Sequence, residues 1–200
     1  LHPPLTRHST REAIKFYANT VVLDPHFAAA YAAAARVYGT RRTFGWMSDP
    51  ASETAEASRL IQMALRHGSD DAFVLGLCAF ATFYLLGNVE DGAALMERAR
   101  SLNPNLAILW GGAGMMNVCL GRSDIGIGQF EYAIRLSPLD TSMGLWQQGI
   151  ALAHFVEARD ADAVTWATMA VRESGANINA LSTLAASLAF LERTDDARRV

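Results

Sequence analysis

Charge is scarce in this sequence, and so is cysteine. Of 200 residues, 18% are charged and the formal net charge is −3. Such a balance offers no electrostatic basis for gripping nucleic acid or an anionic membrane surface. The two cysteines, Cys78 and Cys119, form no C-x-x-C pair and no disulfide framework, so a reducing, cytoplasmic setting is expected. No run of 18 apolar residues occurs, which argues against membrane insertion. Leu1–Thr20 lacks the apolar stretch of a signal peptide. The chain starts at Leu1 and stops at Arg198-Arg199-Val200, inside an amphipathic pattern, so a fragment of a longer protein is expected.

Catalytic chemistry is equally thin. The histidines are His2, His8, His26, His67 and His154, and none has a Cys, His, Asp or Glu partner at a recurrent metal-ligand spacing. His26 and His67 fall at helix ends, where solvated or capping roles are expected. His154 falls on a helix near Glu157 and reads as a partly buried or groove residue rather than a catalyst. The glycine runs Gly111-Gly112-Ala113-Gly114 and Gly126-Ile127-Gly128 follow no strand and lack the Lys-Ser/Thr of a phosphate loop. They read as helix-packing surfaces. No catalytic, cofactor-binding or metal-ligating residue is assigned, and the expectation is a chain that is not itself an enzyme.

What the sequence does have is apolar periodicity, punctuated by proline. Apolar residues make up 51%, enough for a sizeable core. Pro104 and Pro138 lie 34 residues apart, each after an apolar helical stretch, and Pro25 closes a third such stretch at Val21-Val22-Leu23-Asp24. A 34-residue period of helices ending at Asx/Ser-Pro indicates a helix-turn-helix repeat. Helices are expected from Ser9 or Thr10 to about Leu23, Phe27 to Tyr38, and Glu53 to Arg66 with Ser52 as cap. Hairpins then turn at Gly87-Asn88, Gly121-Arg122-Ser123, Ala158-Arg159-Asp160 and Glu192-Arg193-Thr194. The expected organisation is a flexible tail over 1–9, then a single array over 10–200. It holds four full antiparallel helix pairs with a half pair at each end, and an extended loop at 39–50. Arg41-Arg42 with Phe44 and Trp46 is too small a basic-aromatic cluster for nucleic acid; the loop is expected to pack its aromatics back onto the array, the alternative being a partner-binding loop.

The third pair carries the clearest pattern. Trp110 takes a bulky position, Ala113-Gly114 a small pair, Gly126 and Ala133 small positions around Phe130, and Pro138 closes the unit. Partial copies occur at Tyr31, Ala34-Ala35 and Tyr38; at Leu75, Cys78-Ala79, Met96 and Ala99; and at Leu181, Leu184-Ala185 and Leu188. In the fourth pair Gln147 is a poor bulky residue, which Trp146 could replace from one position earlier. The chain resembles a tetratricopeptide repeat (TPR) array. The resemblance implies an all-α, α-α superhelix (TPR solenoid) of antiparallel helix pairs. Phrases such as Asp24-Pro25-His26-Phe27-Ala28 and Leu191-Glu192-Arg193-Thr194-Asp195 further resemble the C-terminal TPR regions of bacterial class III adenylate/guanylate cyclase-like or winged-helix regulatory proteins.

A TPR array implies a concave groove lined by the first helix of each pair. The residues expected to line it are Arg36, Phe73, Phe80, Phe83, Tyr84, Ile108, Met115, Cys119, Gln148, Leu152 and Phe155. This set is apolar and aromatic, unlike the Lys/Asn/Arg set of TPR modules that clamp a terminal carboxylate. Exposed apolar area of that extent calls for a cover. The expected occupant is a protein or peptide, a domain of the same full-length chain, or a second copy in a homodimer; the alternative is a tight superhelix whose concave wall is itself core. The expected function is protein–protein interaction within a larger bacterial signalling protein, the alternative being a structural or oligomerisation element that arranges a linked domain.

Overall fold

A computed structural model describes residues 5–174 and 177–200; the first four residues of the expected 1–9 tail lie outside the described residues. The described residues contain eleven α-helices and no strand. They form two compact units, the first reaching Pro104 and the second beginning at Asn105.

The first unit holds α1 (Arg7–Leu23), α2 (Ala28–Thr43), α3 (Pro50–His67), α4 (Ala72–Ala81) and α5 (Val89–Leu102). α1 begins earlier than expected because Thr6 caps it, its hydroxyl accepting from Ser9 N–H while Ser9 Oγ accepts from Thr6 N–H. α3 is capped by Asp49 rather than Ser52, with Pro50 at the first helical position, where a missing N–H costs nothing. Asp71 caps α4 by accepting from the N–H groups of Phe73 and Val74. The core is Tyr31, Ala35, Leu60, Ala64, Val74 and Cys78.

The segment expected to be loop at 39–50 is partly helix. α2 continues to Thr43 and only 44–49 is irregular. A buried ion pair accounts for the extension. Arg41 is 3% exposed, and its Nε and Nη2 donate to the Glu53 carboxylate at 2.8 and 3.1 Å. Nη2 also donates to the Trp46 carbonyl at 2.9 Å. The side chain that marked a basic loop is a crosslink between α2 and α3. Phe44 and Trp46 stack on each other at 4.7 Å, with Phe44 half exposed.

The second unit holds α6 (Ala107–Cys119), α7 (Ser123–Leu136), α8 (Met143–Val156), α9 (Asp160–Ser174), α10 (Ile178–Phe190) and α11 (Thr194–Ala197). Its core centres on Phe130, Ala133, Trp146 and Ile150, and continues through Ala151, Ala167, Leu184 and Leu188. Small residues set the helix spacing. A β-carbon at Gly126 would stand 2.6 Å from Val118 and 2.8 Å from the Gly114 carbonyl, so α6 and α7 approach at backbone distance.

One C-cap recurs in both units. The N–H after a left-handed residue returns to the carbonyl five positions earlier, at Trp46→Arg41, Arg122→Asn117, Arg159→His154 and Arg193→Leu188. The left-handed residue is Gly45 or Gly121 in two of these turns, but Ala158 (φ 55°) and Glu192 (φ 62°) in the others. The turn after α2 is therefore the same repeat turn, displaced by a longer helix.

Candidate functional site

On the first unit, α2 and α4 lie side by side and share a face bearing Arg36. The Arg36 guanidinium sits 5.2 Å over the Phe80 ring. Phe80 stacks nearly parallel to Tyr84 at 6.4 Å, and Phe83 meets Tyr84 edge-on at 4.6 Å. Phe73, seven residues before Phe80 and thus on the same helical face, is 47% exposed, and Tyr84 is 40% exposed. No carboxylate pairs with Arg36 among the described residues. Desolvation by its surroundings pushes the guanidinium below its ordinary pKa, against the opposing pull of Tyr84 and Tyr17. The result is a cation held in an aromatic setting, with its hydrogen-bonding capacity unspent on an anion.

Phe83 keeps its ring against Tyr84 while its Cβ faces α5. The chain after Ala81 winds as a π-helix over Thr82–Leu86 instead of continuing α-helical. The wider turn rotates the side chains that follow. The Phe83 Cβ stands 3.2 Å from where a β-carbon on Gly92 would lie, so the residue seats α5 against α4.

On the second unit the expected groove residues divide. Ile108, Met115, Leu152 and Phe155 are half-buried and Cys119 is exposed. Gln148 is 7% exposed, so it packs inside rather than lining a surface. The neighbouring Trp146 is 3% exposed and lies against Gly111, filling the bulky position left by Gln147. Phe155 packs on Phe190 of α10 at 5.9 Å, and Phe190 is largely exposed. Asn117, where the repeat pattern wants an aromatic, donates to the Ala113 carbonyl and to Gln129 Oε1 at 2.9 Å, tying α6 to α7.

Reactive groups are subdued. Burial pushes the Cys78 thiol up to about 12, and desolvation by neighbouring groups raises that of the exposed Cys119, which favours the thiol form at both. His154 lies 4.0 Å from Asp162; desolvation, then the Arg159 charge, hold its pKa below the ordinary value. No cluster of three or more His, Cys, Asp or Glu side chains suited to a metal occurs among the described residues. A cavity of about 90 Å³ between α1, α2 and α3 is far smaller than the roughly 300–1,000 Å³ of ordinary ligand pockets. No described helix is long and apolar enough to cross a membrane.

No family model and no curated protein matches the sequence. Solved structures do match. The chain is similar to a thermophilic TPR protein, TTC0263 of Thermus thermophilus, with TM-score 0.68 and 14% identity over 90% of each chain. It is similar to YrrB, a TPR protein with an unusual peptide-binding site, with TM-score 0.58 and 19% identity over 88% of this chain and 83% of that one. It is similar to PilW, a type IV pilus biogenesis factor, with TM-score 0.76 and 13% identity over 96% of this chain and 83% of PilW. The fold is a TPR-like, all-α helix-pair repeat.

Proposed function

We propose that this chain is a protein-interaction module and that the α2–α4 face of its first unit docks a peptide segment carrying one carboxylate side chain between apolar residues. The observation that carries this reading is Arg36, a guanidinium stacked on Phe80 with no acidic partner among the described residues. Arg36 is exposed to solvent, so a carboxylate from outside can reach the guanidinium and form charge-assisted hydrogen bonds with it. Phe73, Phe80 and Tyr84 would receive the flanking apolar groups. The peptide-binding site of YrrB, a protein of similar fold, supports the general class. The decisive experiment presents a peptide array with acidic and amide-substituted versions of the same apolar frames. Preference for the acidic set, removed by Arg36→Gln, is expected; equal binding of both sets overturns the reading.

A second reading is favoured by α1. Phe16 and Leu23 share one face of that helix and are 69% and 87% exposed. This face suits a structural contact with a neighbouring domain or a second copy, as an element that arranges other parts of a larger protein. Sedimentation of the wild type beside Phe16→Glu tests it: concentration-dependent association lost in the variant supports a homodimer. The link to a cyclase or a winged-helix regulator rests on sequence phrases alone.

A further inference from the structure

His26 and His67 are 41 positions apart in sequence, yet their Nδ1 atoms lie 3.3 Å from each other. His26 precedes α2 and His67 ends α3, so the two rings close the open end of the antiparallel α2/α3 hairpin. The rings are nearly perpendicular, with centroids 4.9 Å apart. Neighbouring groups shape the site. Asp24 Oδ1 accepts from the His26 backbone N–H at 3.0 Å, fixing the turn that carries the ring. Tyr31 stacks on His67 with an interplanar angle of 22° and donates its own hydroxyl to the Pro25 carbonyl. His26 is exposed and His67 half-buried, so the pair lies at the surface of the unit.

We infer that His26 and His67 form a two-imidazole chelate for a divalent first-row transition metal of the imidazole-binding class. The Nδ1–Nδ1 separation matches that of two imidazoles sharing one ion. Two imidazole nitrogens at about 2.0–2.1 Å from one tetrahedral ion are separated by roughly 3.3 Å. The same distance also fits one N–H···N hydrogen bond, and the two arrangements interconvert by a tautomer shift. With the ring proton of each histidine on Nε2, both Nδ1 lone pairs are free to ligate an ion. The carbonyl end of α3 lies at His67, and its partial negative charge favours a cation there. With two protein ligands the remaining positions belong to water, so the site is an open one that staples a hairpin. Copper(II) should bind most tightly by the Irving–Williams order, and magnesium, which prefers oxygen, should not compete.

The test is titration of the whole chain with Cu²⁺, Ni²⁺, Zn²⁺ and Mg²⁺ separately, by calorimetry and by thermal melting. Saturable one-to-one binding of the first three, with a raised melting temperature by mass action, is expected. Each of His26→Asn and His67→Asn should weaken binding by about 10²-fold, since losing one arm abolishes the chelate's effective concentration. Both should also remove the thermal shift. Nitrogen-15 NMR with Zn²⁺ should move the Nδ1 signals of both rings together. His8→Asn, on exposed α1, should change nothing. Absence of saturable binding, or binding that survives both single variants, overturns the inference.

Discussion

The Phe130 ring occupies the space a β-carbon on Gly149 would need: its Cζ lies 2.2 Å from that position. The same ring sits 3.0 Å from the corresponding point on Gly114, so one aromatic from α7 is clasped between glycines of α6 and α8. Close approach of three helices is achieved here by removing side chains on two of them.

Gly149→Ala and Gly126→Ala should each destabilise the protein by about 1–3 kcal/mol through overpacking. Gly128→Ala on the same helix as Gly126 meets nothing within 4 Å. It should stabilise by roughly 0.5–1 kcal/mol through helix propensity alone. Chemical denaturation of the three variants checks the contrast in sign.

Ala133 is fully buried, one turn from Phe130. Ala133→Phe should cost about 1–3 kcal/mol for the same reason. An unchanged denaturation midpoint would mean that the α7 register is different.

Glu53 and Arg41 form a charge pair in which Arg41 has almost no solvent contact. Glu53→Ala should destabilise by about 3 kcal/mol, because the buried guanidinium loses its counter-charge. For Glu53, burial raises the pKa most, but hydrogen bonds from Arg41 and from the Ser48 N–H outweigh it, and the net value lies below the ordinary 4.5. Its contribution is therefore present above pH 4.5 and is lost as pH falls through the lower folded value. Urea midpoints measured down to acid pH should show that loss in the wild type and a flatter profile in Glu53→Gln.

His154 titrates in the opposite sense to a salt-bridged histidine. The folded protein binds its proton less readily than the unfolded chain, so stability is full above the ordinary 6.5 and declines as pH falls through it. His154→Gln should flatten the profile between neutrality and mild acid.

Ala158 and Glu192 hold the left-handed turn conformation that Gly45 and Gly121 hold elsewhere. Ala158→Gly and Glu192→Gly should each stabilise by about 0.5–1 kcal/mol by relieving the clash of Cβ with the backbone. Melting temperatures of the two variants and their combination would show it.

The amino-acid sequence by itself determined the helices, their repeat period, four of the hairpin turns and the small-against-bulky packing around Phe130. Those features are written in neighbouring residues: apolar spacing, Asx caps, prolines after helices, glycines at turns. Tertiary structure alone decided that Arg41 is buried against Glu53, which turns an apparent loop into helix. It decided that the end of α4 widens into a π-turn and directs Phe83 toward α5. It rotated Gln148 into the interior and set Arg36 over Phe80 away from any described carboxylate. It also brought His26 and His67 together across 41 positions. Each of these depends on how far a helix turns about its axis and how closely it meets the next one. Side-chain volume summed over several helices sets those quantities, and no local stretch of sequence carries that sum.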